Sequence, residues 1–388
     1  MFRSATLSSH TFDEYTDIQE NPKVDFNQFG AGAVISGDGL IAACSSGNAV
    51  TLLNAATGQQ IARLEAAANG FVFGFNSTSM DFSGNILAVS NYLFSSNSGQ
   101  VKLFNPKTSS LIDTISNPRS GVQDLFGLKT SLSDDGTRIA IGSEFYRDAG
   151  GTSQLGVCHV FSLPSNTLLT TINNPNGAAN TWGSAISLSG DGTTLAVGAP
   201  EAVATRRGNV NIYNASTGTL LRTITSPNPV DDNQFGWSVS LNYDGTLLAV
   251  GEVRGDVSGT DDGTVYLFNV SDGSLLRTYS SPIPDAYRFG QSVALSHDGS
   301  TLIVGSSFGG GNSGYMYFFT TNNSTAVKSI PLPGIPGNPD PGEGGFGGKV
   351  GVSHDGKRIV TGAPGMGIND FSSGDDATGR FYIYNFAD

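Results

Sequence analysis

Seven times along the chain an aromatic residue followed by glycine opens the same pattern: Phe29-Gly30, Phe73-Gly74, Phe126-Gly127, Trp182-Gly183, Phe235-Gly236, Phe289-Gly290 and Phe346-Gly347. The copies recur at intervals of 44 to 57 residues. Self-similarity at such a period marks a chain assembled from units that cannot bury their apolar faces alone. Each copy holds short apolar runs bounded by Gly, Asp, Asn or Ser, the signature of antiparallel strands joined by tight turns. The copy from Asn233 to Tyr279 shows four of them, at Trp237–Leu241, Leu247–Val250, Val265–Phe268 and Leu275–Tyr279. Four strands per repeat is the composition of a propeller blade, not of a helical solenoid. The expectation is an all-β chain forming a seven-bladed β-propeller, four antiparallel strands per blade. Residues 1–388 then make a single domain, with blades starting near 29, 73, 126, 182, 235, 289 and 346.

Within each repeat the first strand ends at a glycine turn, such as Asp38-Gly39, Asp191-Gly192 or Asp244-Gly245, where glycine supplies the positive φ that a hairpin needs. The second strand is a continuous apolar run, as at Leu195–Val197 or Leu302–Val304, which suits a sheet covered on both faces by neighbouring blades. The third begins near a glycine, as at Gly208-Asn209-Val210. The seventh repeat stops at Asp388 without a fourth strand, and Phe2–Leu7 precedes the first aromatic-glycine pair where other repeats carry theirs. Residues 1–20 are therefore read as a closing strand plus connection, with Phe2–Leu7 as the strand. Pro331–Gly342, with five prolines, reads as a stiff flap and not a strand.

If the first strand of each blade is innermost, the second-to-third and blade-to-blade connections share one face, here called the top. The glycine turns share the bottom. Bottom turns are nearly constant in length, whereas top loops vary, and variable loops on a rigid scaffold are where binding is usually placed. The candidate binding residues are accordingly Arg147, Asp148, Glu201, Arg206, Arg207, Arg254, Asp256, Asp285 and Asp340. The formal charge is −13, and most of the 33 acidic residues fall in top connections. A negative face would attract a cation or a basic partner, although acids also serve simply to solvate long loops. The same charge excludes nucleic acid and adsorption to anionic membranes. No apolar run is long enough for a membrane-spanning helix, and the first residues contain no secretory leader. Cys44 and Cys158 stand in different repeats in strand-like surroundings and read as buried free thiols.

The aromatic-Gly start, an apolar second strand ending in a small motif and a G-x-V-x-aromatic third strand resemble the FG-GAP repeat of integrin-type propellers and their bacterial and viral relatives. Leu195-Ala196-Val197-Gly198-Ala199-Pro200 with Trp182-Gly183 is the clearest match, and Gly362-Ala363-Pro364 with Phe346-Gly347 repeats it. Ser189-Gly190-Asp191-Gly192 and Thr217-Gly218 are similar in register to a WD-repeat, without that family's Gly-His and Trp-Asp signatures. The resemblance implies a propeller and says little about function. Integrin-type repeats hold calcium in an acidic bottom hairpin, but the turns here offer about one aspartate each, as in Ser296-His297-Asp298-Gly299. Calcium, if bound, is expected instead in the top loops, at Asp256, Asp261 and Asp262 and at Asp370, Asp375 and Asp376.

Catalytic constellations are sparse. The histidines are His10, His159, His297 and His354, and the last two occupy the same turn position in adjacent repeats, which places them a blade apart on the bottom rim. No nucleophilic triad order, CxxC pair or HExxH occurs. Arg254-Gly255-Asp256 is an integrin-ligand tripeptide, a motif short enough to arise by chance. The reading is a non-catalytic binding or assembly module with a protein or glycan partner on its top face, suited to a structural or adhesion role in a virion or other extracellular assembly. A cytosolic interaction scaffold and a carbohydrate-active enzyme using paired carboxylates remain the alternatives.

Overall fold

The structure is a computed structural model, and it describes residues 15–19, 29–65, 74, 77–119, 124–143, 156–175, 181–201, 207–255, 262–283, 286–307, 314–333, 345–364 and 379–385. They form seven four-stranded antiparallel sheets, each with its strands in chain order from one edge to the other except the last. Blade 5 consists of Phe235–Leu241, Leu247–Glu252, Thr264–Asn269 and Leu275–Ser280. The first strands of the seven blades are Gly32–Ile35, Thr78–Met80, Lys129–Leu132, Ala185–Leu188, Phe235–Leu241, Ser292–Leu295 and Val350–Val352. Each touches the first strand of the next blade, and that of blade 7 touches that of blade 1, so these strands line the axis of a closed ring. The second strands are buried along nearly their whole length, as the continuous apolar runs require.

The repeat signature has a steric cause. The aromatics Phe29, Phe126, Trp182, Phe235, Phe289 and Phe346 are essentially fully buried between blades. The carbonyl of each passes directly over the glycine that opens the preceding blade's third strand. A Cβ on Gly208 would lie 2.0 Å from the Phe235 carbonyl oxygen, and one on Gly156 2.2 Å from that of Trp182. No side chain fits there, so the glycine before the third strand and the aromatic-glycine pair of the next blade are two halves of one joint. Gly379 meets the Phe29 carbonyl in the same way, which carries the joint across the closure.

Closure uses the N-terminal region, but not the segment expected. The fourth strand of blade 7 is Tyr15–Gln19, paired antiparallel with Arg380–Asn385 from Tyr15↔Tyr384 to Gln19↔Arg380. Phe2–Leu7 lies outside the described residues, and the position assigned to it is already filled. Pro331, expected to begin the flap, instead ends the fourth strand of blade 6, Lys328–Pro331. An outermost strand has one edge without a partner, so a terminal proline there interrupts no ladder. The remainder of that flap, from 334, lies outside the described residues.

In blades 1 to 5 the pairing of third and fourth strands shifts by one residue, a β-bulge at the same place each time. The extra residue is Ile61, Ile112, Leu169, Leu221 or Leu276, and every one is an exposed aliphatic. A bulge bends the edge strand and makes it a poor template for pairing with another chain.

Candidate functional site

Of the nine top-loop residues expected to bind, Glu201, Arg207 and Arg254 are described. Arg147, Asp148, Arg206, Asp256, Asp285 and Asp340 lie outside the described residues, as do Asp261, Asp370, Asp375 and Asp376 of the expected cation loops. Asp262 is described, and its backbone carbonyl accepts a hydrogen bond from the Phe289 N–H at 2.9 Å. Among the described residues no group of three or more His, Cys, Asp and Glu is arranged to hold a metal ion.

Two of the three described candidates meet at one corner. The connection from blade 4 to blade 5 carries Asp231 and Asp232, and each aspartate takes an arginine from a different loop. Arg207, just before the third strand of blade 4, donates from Nε to Asp231 Oδ1 at 2.7 Å. Arg254, just after the second strand of blade 5, donates from Nη1 to Asp232 Oδ2 at 2.6 Å. All four side chains keep between 36% and 63% of their surface exposed, so the pairs are fixed in place yet presented to solvent. Glu201 stands apart from this pairing, its N–H donating to Thr181 Oγ1.

The backbone of the corner is strained at one point that the repeat does not explain. Leu125, Gln234 and Arg288 all adopt positive φ immediately before an aromatic-glycine pair, so that feature belongs to the blade joint. Asp232, at φ +70°, has no counterpart among them. A non-glycine residue in this region costs roughly 1–3 kcal/mol and persists where its surroundings demand it.

Beneath the ion pairs sits Glu252, fully buried at the end of the second strand of blade 5. The equivalent places in blades 3, 4, 6 and 7 hold Ser143, Ala199, Ser306 and Ala363. Tyr266 donates its hydroxyl to Glu252 Oε1 at 3.2 Å, while Oε2 has no hydrogen-bond partner among the described residues. Burial raises the carboxyl above its ordinary range, against the opposing hydrogen bonds of Ser226, Asn233 and Tyr266. Nothing in the sequence pattern singles out this residue except that it is the one acid at a place that is Ser or Ala in the blades just named and Asn91 in blade 2.

The second feature missed from sequence lies at the bottom. His297 and His354 do not stand a blade apart: their ring centroids are 3.5 Å from each other. The glycine turns converge on the axis, and hydrogen bonds join one to the next from blade 7 round to blade 6: His354 N–H to Gly37, Asp38 N–H to Phe82, Phe82 N–H to Asp134, Asp134 N–H to Gly190, Asp191 N–H to Tyr243 and Tyr243 N–H to His297. The second residue of each turn therefore points at the centre. Tyr243 stacks on His297 at 4.0 Å, Phe82 packs edge-on to His354 at 5.2 Å, and His297 Nδ1 lies 3.0 Å from Asp134 Oδ2. Burial, and then the neighbouring His354, lower the His297 pKa, while burial raises that of Asp134. The cluster closes the floor of the channel.

Residues 219–268 match the family model of the FG-GAP repeat, a span that takes in the fourth strand of blade 4, the Asp231–Asp232 connection and the first three strands of blade 5. No curated protein matches the chain. Solved structures match it in number, 1175 chains in all, a breadth that speaks for a widely used fold and not for one function. One of them is a chain of the "Crystal Structure of Mitotic Checkpoint Complex", 16% identical, with a TM-score of 0.62 over 100% of this chain and 99% of that one. At that identity the likeness shows the fold alone. The chain is thus a seven-bladed β-propeller in which residues 219–268 match the FG-GAP repeat.

Proposed function

We propose that this propeller is a non-catalytic protein-binding module whose contact surface is centred on the top corner of blades 4 and 5. The observation that carries the reading is the double clamp of Arg207 by Asp231 and Arg254 by Asp232, held by a strained connection. Exposed ion pairs contribute little to stability, with a median of about 0–1 kcal/mol, so a strained turn that holds two of them is poorly accounted for by folding. Fixed guanidinium and carboxylate groups side by side suit the polar surface of a protein partner. Arg254 is engaged by Asp232, which disfavours display of Arg254-Gly255-Asp256 as a free attachment tripeptide. Loops rich in Gly, Ser, Thr and Asn favour a place in a virion or other extracellular assembly. The propeller of the mitotic checkpoint complex, which shares this fold, is part of a multi-protein assembly, and that favours the alternative of an interaction scaffold.

The test is recovery of partners from an extract of the natural source on immobilised protein, comparing wild type with Arg207→Glu/Arg254→Glu and with a variant shortened in the 365–378 loop. Loss of at least tenfold of a wild-type partner in the arginine variant is the expected result. Equal recovery in that variant removes the corner from the contact surface, and loss confined to the loop variant moves the site to blade 7.

A further inference from the structure

Under the top corner of blades 4 and 5 lies a set of buried oxygens whose hydrogen-bonding capacity the fold does not use up. Glu252, Thr264 and Asn233 are at most 1% exposed. Among the described residues, Glu252 Oε2, Thr264 Oγ1 and Asn233 Oδ1 each lack a hydrogen-bond partner, a combination that native interiors rarely leave unanswered. Three chain segments bring these side chains together. Glu252, at the end of the second strand of blade 5, is directly paired with Thr264, which opens the third, so the two side chains stand opposite each other on one face of the sheet. Asn233 lies in the connection from blade 4, where its carbonyl accepts from the Arg254 N–H at 3.2 Å. Its side-chain amide hydrogen-bonds toward the Glu252 carboxylate, as do the hydroxyls of Ser226 and Tyr266. The chain then turns back over the pair at Gly255, whose N–H donates to the Glu252 carbonyl at 3.2 Å. A Cβ on Gly255 would come within 2.6 Å of Glu252 Oε1 and 3.1 Å of Thr264 Oγ1. Both oxygens therefore border one small space, which a side chain at residue 255 would fill.

We infer that Glu252, Thr264 and Asn233 form a binding site for one monovalent metal cation of about the size of sodium, buried beneath the corner. A charge inside a protein is tolerated when it is paired or when it coordinates a metal. The arginines of the corner do not pair with Glu252, since Arg254 is held by Asp232 and Arg207 by Asp231. The side chains that hydrogen-bond to its carboxylate, Ser226, Asn233 and Tyr266, are all neutral. A water answers the hydrogen bonds and leaves the charge, whereas a cation answers both.

The chemistry of the set selects the ion. Every ligand atom is an oxygen, which suits a hard cation and not zinc or copper. One carboxylate among neutral oxygens balances a single positive charge, whereas calcium sites draw on several carboxylates. Asn233 directly follows Asp232, the residue held at φ +70°, so a cation bound here also ties the connection between the blades to the second and third strands of blade 5. The site is complete within this chain and does not depend on a partner at the corner above it.

Sodium chloride is the probe and choline chloride the control, mixed at constant ionic strength and pH 8. In urea unfolding of the full chain, the unfolding equilibrium constant should fall about tenfold for each tenfold rise in sodium above half-saturation, the slope of one bound ion. Glu252→Gln keeps the size of the side chain without its charge and should lose this slope. In choline it should be the more stable of the two proteins, and sodium should narrow that gap. Gly255→Ala keeps the carboxylate but puts a methyl group into the shared space, and it should lose the slope as well. Glu65→Gln removes an exposed acid from the fourth strand of blade 1 and should leave the slope unchanged. Equal stability of the wild type in sodium and choline, a sodium slope retained in Glu252→Gln or Gly255→Ala, or stabilisation by calcium in place of sodium would each overturn the inference.

Discussion

His159 shows how a single side chain sets the acid response of the molecule. It lies on the third strand of blade 3, Val157–Ser162, 1% exposed, with Nδ1 3.0 Å from Thr171 Oγ1 and Nε2 without a hydrogen-bond partner among the described residues. Burial, helped by Arg119, pushes its pKa down to about 4. In the unfolded chain the imidazole titrates near 6.5, so between about 6.5 and 4 the unfolded state binds the extra proton and acidification costs up to about 3 kcal/mol. Asp124, fully buried with Arg119 at 3.9 Å, works the other way. Burial lifts its carboxyl to about 6, so the folded state binds the proton first and acidification from about 6 to 4 stabilises. The two effects offset each other only in part in the wild type, and the larger histidine effect leaves a net loss on acidification. His159→Gln removes only the first. Its urea midpoint should therefore fall less, or rise, between pH 7 and pH 4.5 where the wild type falls, and parallel profiles for the two proteins would refute the burial account. Glu252→Gln is a second residue-scale change with a definite sign. The raised carboxyl pKa means that folded-state stability declines as pH rises past the unfolded value near 4.5. The amide removes a buried charge, and Asn233 Oδ1, itself without a hydrogen-bond partner among the described residues, offers an acceptor. Urea unfolding at pH 8 should show the variant about 1 kcal/mol more stable than wild type, with the difference vanishing at pH 4.

At the scale of the strand, the ring is closed by five residues. Tyr15–Gln19 is the one fourth strand that does not follow its own blade in sequence, and Arg380–Asn385 has no outer partner without it. Gln19 and Arg380 are directly paired, a separation that a disulfide can bridge in an antiparallel ladder. Gln19→Cys with Arg380→Cys closes a loop of nearly the whole chain and should stabilise by about 2–4 kcal/mol under oxidising conditions, read as a higher thermal midpoint that reverts on reduction. An unchanged midpoint with the disulfide formed would mean that opening of this strand does not limit stability. The misplacement of this strand in the sequence has a physical origin. Outermost strands bury one face at most, so YTDIQ, with apolar character at Tyr15 and Ile18 only, gives a weaker signal than FRSATL. The second strands, buried on both faces, and the joint glycines, where a side chain would overlap a carbonyl, were legible at once because every alternative residue is excluded. The Asp231–Arg207 and Asp232–Arg254 clamps were not, since they join loops from two blades and depend on tertiary approach that no local pattern encodes.

For the molecule as a whole, the consequence of placing first strands innermost is that one end of every first strand must meet six others. Seven separate hairpins read singly look like surface turns, which is why His297 and His354 were assigned to the rim. The ring makes them neighbours. The floor they form holds Phe82, Asp134, Tyr243, His297 and His354, while the corresponding residues of blades 1 and 4 are Gly37 and Gly190. These two glycines are where the others find room. A Cβ on Gly190 would lie 2.4 Å from Tyr243 Cδ2 and 2.6 Å from Asp134 Oδ2, and one on Gly37 2.4 Å from Phe82 Cδ2. Gly190→Ala should thus destabilise by about 1–3 kcal/mol, the cost of overpacking, although Gly190 lies in a turn at the surface end of its blade. If the cost comes from convergence on the axis, it depends on the ring opposite. Tyr243→Ala vacates that space, so in the double variant Gly190→Ala/Tyr243→Ala the loss should be smaller than the sum of the two single losses by at least about 0.5 kcal/mol. Urea unfolding of the four proteins measures this coupling. Strict additivity would show that the turns close the channel without pressing on one another, and that the glycines of blades 1 and 4 are required by their own hairpins alone.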